Sequence, residues 1–383
     1  MRTIYLDYNA TTPIAPAVAE AMRPFLEGGL EGGFGNPSSS HEYGRAAHEA
    51  VDRARALVAG LLACSPEEIV FTGGGSEADN LALKGVAEAY RERGDHIITS
   101  QVEHPAVLNT CRYLERRGHR VTYLPVDGDG KVSPAEVEAA IMEGTILVSF
   151  MHANNETGTI NPIAEIAQVA HRHGVLVHTD AAQSAGKVPT KVDDLGVDLL
   201  TVAGHKLYAP KGVGALYVRS GIRLEPLVHG AGHEGGRRAG TENVPYVVGL
   251  GEACRIAAAT MADYAPRMRD LRDRLRTLLA EVVPGLALNG HPQERLPNTI
   301  NVSFPGVDGE ALLVAAPEVA ASTGSACHAG RTEPSAVLLA MGLSPERALG
   351  AVRLSLGKFT TAEEVERAAS ALVRAWRALV QGR

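Results

Sequence analysis

The chain has 383 residues, of which 45% are hydrophobic and 21% are charged, an ordinary composition for a soluble globular protein. Lys and Arg number 37 and Asp and Glu number 44, so the formal net charge of −7 gives no electrostatic reason to expect nucleic acid as a partner. Because no apolar run approaches the length of a membrane span and the N-terminus lacks a signal-peptide pattern, we expect a cytoplasmic protein.

Short apolar segments alternate with amphipathic segments between about residues 50 and 220. The segments typical of strands are EEIVFT, HIITS, RVTYLPV, TILVSFMH, GVLVHTD, DLLTVAG and GALYV. Helix-like segments separate most of them, such as SEADNLALKGVAEAYRERG and PIAEIAQVAHRHG. This alternation predicts an α/β fold whose mostly parallel sheet is flanked by helices on both faces.

The pattern changes after about residue 260. The segment YAPRMRDLRDRLRTLLAEVV predicts a long helix, the strand-like TINVSF follows it, and a capping box of Thr361 and Glu364 predicts the start of a last helix. We therefore predict two domains. The large domain comprises residues 15–258, and a smaller α+β domain comprises residues 1–14 and 259–383.

Polar residues follow several predicted strands, and ligands of open α/β sheets bind beyond the carboxyl ends of strands. The turn at 73–76, Gly-Gly-Gly-Ser, opens a helix and suits a phosphate group. His104 follows HIITS, Asp180 ends GVLVHTD, and His205 and Lys206 follow DLLTV. Taken singly, each has a structural alternative: a glycine turn, a capping histidine, a helix N-cap and an exposed lysine.

Together these residues supply a phosphate cradle, an amine for a Schiff base, a carboxylate for a pyridine nitrogen and an aromatic ring. That set is what pyridoxal 5′-phosphate (PLP) requires, so the sequence predicts PLP as a cofactor. Asn154 and Asn155 of ANNETG are equally typical of a turn. His171, His173 and His178 fit no standard zinc spacing, so we predict no metal site.

Nearly the whole chain resembles the NifS/IscS-like cysteine desulfurases, which are fold-type I PLP-dependent transferases of the class-V aminotransferase superfamily. The motifs that carry the resemblance are YLDYNATTP, GNPSS, GGGSEADN, VEHPAV, ANNETG, HTDAAQ, GHKLYAPKG, GTENV, LPNTINVSF, STGSACHAGRTEPSAVLLAMG and VRLSLGKFTT. Their order and content imply the same fold, cofactor and activity for this chain.

The resemblance also implies roles for matching residues. Lys206, Cys327 and His104 would be catalytic, and Asn155 and Arg353 would bind the substrate carboxylate. The residues implied to hold PLP are Gly75, Ser76, His104, Asp180, Gln183, His205, Lys206 and, toward the cofactor of a neighbouring subunit, Thr241. Asp180 would pair with the pyridine nitrogen, Gln183 with the phenolic oxygen, and a homodimer is implied through Thr241.

The thiol of Cys327 lies among small residues in ASTGSACHAG, whereas the other cysteines, Cys64, Cys111 and Cys254, have the surroundings of small core residues. The resemblance implies that Cys327 takes the sulfur of L-cysteine as a persulfide and leaves L-alanine. A sulfur-acceptor protein would then receive the sulfur for iron–sulfur cluster or thio-cofactor biosynthesis. Selenocysteine lyase, another PLP-dependent aminotransferase or lyase, and a non-catalytic scaffold on the same fold stay open as alternatives.

Three positions depart from the family pattern. Ala203 stands where a hydroxyl commonly contacts the phosphate, and Ser76 stands where threonine is common. His328 follows the cysteine where a small polar residue is frequent, and we expect it either to lower the thiol pKa or to face solvent.

Overall fold

The computed structural model describes residues 3–29, 33–324, 327–328 and 331–382, without the side chains of residues 327, 328, 331 and 332. The strands are β1 (Ile4–Tyr5), β2 (Ile69–Thr72), β3 (His96–Ser100), β4 (Arg120–Leu124), β5 (Thr145–Met151), β6 (Leu176–Asp180), β7 (Leu199–Ala203), β8 (Gly214–Val218), β9 (Ala287–Asn289), β10 (Thr299–Ser303), β11 (Val319–Ala320), β12 (Cys327–His328), β13 (Arg331–Thr332) and β14 (Ala351–Ser355). The helices are α1 (Pro16–Glu27), α2 (Glu42–Leu62), α3 (Gly75–Ala89), α4 (Pro105–Arg116), α5 (Pro134–Ala140), α6 (Ile163–Arg172), α7 (Val192–Leu195), α8 (Val244–Ala280), α9 (Gly309–Ala315), α10 (Ala336–Ala340), α11 (Pro345–Leu349) and α12 (Ala362–Gln381).

A seven-stranded sheet forms the centre of the molecule in the order β2-β8-β7-β6-β5-β3-β4. Its strands run parallel except β8, which is antiparallel to both β2 and β7. Most of the strand residues are buried, because helices cover both faces and leave no solvated side. The predicted mostly parallel sheet, flanked by helices, is confirmed.

Two hydrophobic cores cover the two faces of this sheet. On one face, α3 and α4 bury residues such as Leu81, Val86 and Cys111 against the strands. On the other face, residues of α2, α6 and α8, among them Val58 and Leu250, pack beneath the same strands. Because both faces are sealed, the open surfaces of the sheet are its ends, where the loops with polar residues emerge.

A separate core lies beside a three-stranded antiparallel sheet of order β14-β10-β9. Its apolar residues come from these strands, the second half of α8, α9 and α12. The capping box of Thr361 and Glu364 begins α12 as predicted. The separate core supports the prediction of a small α+β domain. Its predicted boundaries, at 14/15 and 258/259, remain a prediction.

Helix α8 corrects the helix boundaries predicted from the sequence. The predicted helix from Tyr264 onward is the second half of α8, which begins much earlier, at Val244, and continues through Pro266. Its first half packs Val247 and Leu250 into the core of the large sheet, and its second half packs Leu275 into the small core. The pattern of apolar residues changes near residue 260 because the helix passes from one core to the other. The helix itself does not break there.

None of the helices in the described part of the chain is long and apolar enough to cross a membrane. The three histidines that the sequence left without a metal role have separate partners. His171 lies 3.0 Å from Asp198, and the ring of buried His178 lies between the hydroxyls of Ser149 and Thr201. Within the described residues, no group of three or more His, Cys, Asp or Glu side chains is placed to hold a metal ion.

Candidate active site

A cavity of about 650 Å³ lies beyond the carboxyl ends of the parallel strands. Nine of the residues proposed from the sequence line it: Gly75, Ser76, His104, Asn155, Asp180, Gln183, His205, Lys206 and Arg353. Thr241 is not among the lining residues and lies exposed just before α8. The backbone of Cys327 pairs with Thr332, but the side chain of Cys327 lies outside the described part of the structure. The same is true of the side chain of His328.

The glycine turn between β2 and α3 places the start of a helix at the cavity. Gly74 has φ +146° and ψ 178°, a backbone conformation that residues with a Cβ rarely adopt. A Cβ on Gly75 would lie 3.1 Å from the Cβ of Ala203, so glycine is required for the turn to approach β7. Exposed amides at a helix N-terminus attract an anion, which fits the phosphate proposed there.

Glu77, which also lines the cavity, holds this turn through two hydrogen bonds. Its Oε2 accepts a hydrogen bond from the Gly73 amide at 2.7 Å, and its Oε1 accepts one from Arg238 at 2.9 Å. The Gly73 amide is therefore satisfied by protein, whereas Gly75 and Ser76 face the cavity. Ala203 supplies no hydroxyl to this end of the cavity, so the helix start and the Ser76 hydroxyl are its donors.

Lys206 ends a short 3₁₀ turn, Gly204–Lys206, directly after β7. Its ammonium donates hydrogen bonds to the carbonyl oxygens of Asn9 and, at 2.7 Å, of Ala10. Burial, and then the positive charge of Arg353, lower the pKa of Lys206 from 10.5 to about 8. A lysine with this pKa has a substantial neutral fraction near neutral pH, which Schiff-base formation requires.

Two buried carboxyls lie beneath the cavity. Asp180 ends β6 and is 6% exposed, and its Oδ1 accepts a hydrogen bond from the Ala182 amide at 2.8 Å. Asp79 of α3 is 2% exposed, and its Oδ1 has no hydrogen-bond partner among the described residues. Burial, and then the charge of Asp180, raise the pKa of Asp79 well above its usual value. Burial also raises the pKa of Asp180, but less than that of Asp79, so Asp180 is the carboxyl of the two that ionises more readily and is available to a cation.

The two predicted site histidines are both neutral. His104 is the N-cap of α4, and its Nδ1 accepts a hydrogen bond from the Ala106 amide at 3.1 Å, which places the proton of the neutral ring on Nε2. Desolvation lowers the pKa of His104 and, more strongly, lowers that of His205 to about 4. The Nδ1 of His205 lies 3.1 Å from the Thr11 hydroxyl. A neutral ring suits stacking and proton transfer at His104 and hydrogen bonding at His205.

Gln183 is oriented by two partners that the sequence did not identify. Its Nε2 donates to the carbonyl oxygen of Asn9 at 3.0 Å, and its Oε1 accepts from the Lys187 ammonium at 3.2 Å. Because a carbonyl oxygen only accepts, the Asn9 contact fixes which end of the amide is nitrogen, and Lys187 contacts the oxygen end. The second N–H of Gln183 Nε2 is then a donor for the cavity, as a phenolic oxygen requires.

Arg353 enters the cavity from β14 of the small sheet. Its Nη2 lies 2.7 Å from Asp7, and its Nη1 donates to the carbonyl oxygen of Asn155 at 3.0 Å. Its buried Nε has no hydrogen-bond partner among the described residues. Since a guanidinium has five N–H donors, Arg353 keeps donors for a substrate carboxylate while Asp7 and Asn155 fix its plane.

Sequence reasoning missed Asn9, which lies 1% exposed at the centre of this network. Its side-chain amide donates to Thr299 at 2.9 Å and to the Asn155 carbonyl at 3.2 Å, and its backbone amide donates to Ser355 at 2.9 Å. Asn9 lies within the motif YLDYNATTP, and the sequence predicts no role for it. An asparagine within an N-terminal strand-like stretch was the available signal, but its partners lie far along the chain.

The three cysteines with described side chains are unsuited to sulfur chemistry. Burial raises the pKa of each of Cys64, Cys111 and Cys254 to about 12, so they stay protonated and unreactive. They behave as the small core residues that the sequence predicts.

The residues present fit PLP. The glycine turn at 74–76 leaves space that a Cβ on Gly75 would narrow, and this suits a phosphate group. Asp180 is a buried carboxyl group that can pair with a cation. Lys206, which has a lowered pKa, lines the same cavity. An α/β fold with this set at the strand ends defines the class of PLP-dependent enzymes of fold type I.

The chain belongs to the aminotransferase class-V family, whose family model matches residues 4–368. It is 52% identical to the cysteine desulfurase IscS of Pectobacterium carotovorum subsp. carotovorum (strain PC1) over 366 residues, which are 95% of this chain and 90% of the relative. A solved NifS-like protein superposes with a TM-score of 0.91 at 38% identity, covering 98% of this chain and all of the other. The structure of SspA in complex with cysteine has a TM-score of 0.81 at 39% identity, covering 94% of this chain and all of SspA.

Proposed function

We infer that the protein is a PLP-dependent cysteine desulfurase. The observation that carries this conclusion is the convergence of the glycine turn at 74–76, Asp180 and Lys206 on one cavity, in a chain 52% identical to a cysteine desulfurase. When bound there, PLP supplies an electron sink for the pair of electrons left at a substrate carbon. The following roles are what the residues of this chain contribute.

Five residues would hold the cofactor without moving. Gly75, Ser76 and His205 would bind the phosphate, because they line the cavity at the start of α3 and beside β7. Asp180 would keep the pyridine nitrogen protonated, since it is buried and ionises more readily than Asp79 beside it. Gln183 would donate to the phenolic oxygen in the orientation that Lys187 and Asn9 impose.

Arg353 and Asn155 would bind the carboxylate of L-cysteine. The guanidinium of Arg353 lines the cavity and is fixed by Asp7, so its remaining donors are held in a constant plane. A planar fork matches both oxygens of a carboxylate. This contact would place the substrate Cα next to Lys206.

Lys206 and His104 would move protons at the substrate. The amine of Lys206, with its pKa of about 8, would remove the Cα proton near neutral pH. The Nε2 of neutral His104 would hold or give a proton on the side of the substrate sulfur. Both side chains line the same cavity.

Cys327 would receive the sulfur. Its thiolate attacks the substrate sulfur, so that an S–S bond forms while the C–S bond breaks. The electron pair of the C–S bond stays with the substrate Cβ, which takes a proton and becomes the methyl group of L-alanine. The sulfur then resides on Cys327 as a persulfide, ready for an acceptor that cannot enter the cavity. This role rests on the family motif around Cys327.

We also propose a cytoplasmic homodimer in which Thr241 of each chain reaches the cofactor phosphate of its neighbour. The exposed position of Thr241 outside its own cavity is compatible with this arrangement. A sulfur-acceptor protein would take the persulfide sulfur toward iron–sulfur clusters or thio-cofactors.

The test uses the purified holoprotein, L-cysteine and no reductant, with Cys327→Ser as a control. We expect release of alanine and an intact-mass gain of one sulfur atom, with the mass gain absent from the control although it keeps PLP. Persulfide on the Cys327→Ser protein would disprove the role of Cys327. Alanine from selenocysteine but not from cysteine would favour a selenocysteine lyase, and a purified protein without PLP would favour a scaffold.

A further inference from the structure

Glu156 follows the substrate-binding Asn155 but takes no part in the cavity. It is 8% exposed, and its backbone amide donates to Asn154 Oδ1 at 2.9 Å. Its side chain contacts two described residues, Gly324 and Ser335, that flank the segment carrying Cys327. We call residues 325–334 the cysteine segment, so that Gly324 and Ser335 are the residues on either side of it.

On the N-terminal side, the carboxylate of Glu156 lies against Gly324. A Cβ on Gly324 would lie 2.5 Å from Glu156 Oε2, and the φ of Gly324 is +71°, so both space and conformation require glycine. Just before it, the backbone amide of Arg353 donates to Ser322 at 2.6 Å. Gly324 therefore packs against the carboxylate of Glu156, and Ser322 is hydrogen-bonded to the strand that presents Arg353.

On the C-terminal side, the same carboxylate oxygen holds Ser335. The Ser335 hydroxyl, 2% exposed, donates to Glu156 Oε2 at 2.5 Å. It also accepts from the Leu338 amide at 3.3 Å as the N-cap of α10. One carboxylate oxygen thus contacts the residues immediately before and after the cysteine segment.

Glu156 is also tied to the substrate site. The carbonyl oxygen of its neighbour Asn155 accepts from Arg353 at 3.0 Å, and the carbonyl of Glu156 accepts from Asn301 at 3.4 Å. The turn that fixes the substrate-binding arginine is therefore the turn that fixes both ends of the cysteine segment. Sulfur transfer needs a thiol and a substrate sulfur in one geometry, and a shared support provides it.

We propose that Glu156 is a positioning residue for sulfur transfer to Cys327, because its carboxylate contacts Gly324 and Ser335, on either side of the cysteine segment, and its backbone belongs to the Asn155 turn. This inference rests on the proposed function of Cys327. It predicts that loss of the Glu156 side chain slows transfer of sulfur to Cys327 while cofactor and substrate binding continue. A purely structural role would affect all of these together.

Glutamine is the appropriate conservative replacement. Burial is the main cause that raises the pKa of Glu156 to about 7, against the opposing effects of Ser335 and Arg353. The carboxyl is thus often protonated and uncharged in the native protein near neutral pH. Glu156→Gln keeps its shape and an oxygen that accepts from Ser335, whereas Glu156→Ala removes both contacts.

The experiment is a single turnover of holoprotein with one equivalent of L-cysteine. Two rates are followed: the change in cofactor absorbance on mixing, and the persulfide on Cys327 after quenching by alkylation and mass analysis. For Glu156→Ala we expect an unchanged absorbance response and persulfide formation at least about tenfold slower, because small misplacements of reacting groups cost this much or more. Glu156→Gln should stay within about threefold of the wild-type protein, and Ser335→Ala should fall between the two. Glu165→Ala, which removes an exposed carboxylate on α6, is the matched control.

Each outcome decides something. No persulfide on the wild-type protein would refute the proposed function itself. Persulfide formation at the wild-type rate in Glu156→Ala would refute the positioning role alone, as would equal loss of the absorbance response and the persulfide. If Glu156→Ala does not fold, Ser335→Ala takes its place, and a wild-type persulfide rate in that variant would overturn the inference.

Discussion

The cavity has two walls of different construction. The cofactor wall comprises the glycine turn at 74–76, Asp180 and Lys206, all at ends of strands of the large sheet. The arginine wall comprises residues 9–11 and Arg353, and Arg353 belongs to the small antiparallel sheet. In the first wall, each polar group follows its own strand. In the second, the polar groups are joined to one another through Asp7, Asn9 and Asn155.

The different construction of the two walls suits two different tasks, cofactor binding and substrate binding. A wall whose groups each come from a rigid strand end suits a cofactor that stays bound, because each contact is held independently by the sheet. A wall made of one hydrogen-bonded network suits a substrate that enters and leaves, because the network holds Arg353 in place between turnovers. The comparison predicts that cofactor loss and substrate-binding loss are separable by mutation, and the predictions below test that separation in order of decreasing effect.

We expect the largest loss of activity from replacement of Lys206. In Lys206→Ala we expect no covalent link to PLP after borohydride reduction and a fall in alanine formation of more than about 10³-fold, because both the imine and the proton-transferring amine are lost. Intact mass after reduction and an alanine assay measure these. Lys211→Ala, an exposed lysine at the rim of the same cavity, is the control and should keep both. A PLP mass adduct on Lys206→Ala would contradict the assignment.

Replacement of Asp180 should lower the rate of catalysis strongly and should weaken cofactor binding only slightly. Asp180→Asn removes the charge proposed to keep the pyridine nitrogen protonated, so alanine formation should fall by about 10²-fold or more while the imine still forms. The absorbance of the bound cofactor and the rate of alanine release measure the two effects. The exposed Asp194→Asn on α7 is the control. A wild-type rate of alanine release in Asp180→Asn would contradict the role proposed for Asp180 at the pyridine nitrogen.

On the arginine wall, Arg353→Gln should spare the cofactor. We expect a normal cofactor spectrum and a KM for L-cysteine about tenfold to about a hundredfold higher, because a hydrogen bond to a charged group contributes about 1.5–3 kcal/mol. The control is Arg374→Gln, an exposed arginine paired with Glu318 on the surface. Loss of the cofactor spectrum in Arg353→Gln would show that the two walls are not independent.

The same contrast explains how much of the site could be predicted from the sequence. His104, Asp180 and Lys206 were found because a polar residue directly after a short apolar strand is conspicuous, and the chain fold brings such residues to one edge of the sheet. The seven strands of the large sheet and several helices, among them α3, α6 and α12, are predicted for the same reason, since local periodicity is visible in the sequence. The late start predicted for α8 shows the limit of this method: a helix that passes from one core to another changes its pattern without ending.

The network of the arginine wall could not be found in this way. Asn9 contacts Thr299 and Asn155, and Arg353 contacts Asp7, across separations that no local pattern reveals. No sequence pattern singles out Lys187, which is 4% exposed and hydrogen-bonded to Gln183. Partners of this kind are fixed by tertiary packing, and the resemblance supplied the residue Arg353 but not the contacts that hold it.

The smallest predicted effect measures the coupling between the two walls. Because burial and the charge of Arg353 disfavour the ammonium form, the pKa of Lys206 is about 8 and not 10.5. The rate of imine formation by apoprotein and PLP should therefore rise with pH and level off above about 8, where the neutral amine predominates. Stopped-flow absorbance at a series of pH values measures the midpoint.

Arg353→Gln should move that midpoint upward. Removing a positive charge near Lys206 makes the ammonium less unfavourable, so its pKa rises and a higher pH is needed to obtain the neutral amine. Arg374→Gln should leave the midpoint in place, since that arginine is exposed and pairs with Glu318. A rate that keeps rising toward pH 10 in the wild-type protein would show that burial does not lower the pKa of Lys206. An unchanged midpoint in Arg353→Gln would show that the arginine wall does not act on the lysine of the cofactor wall.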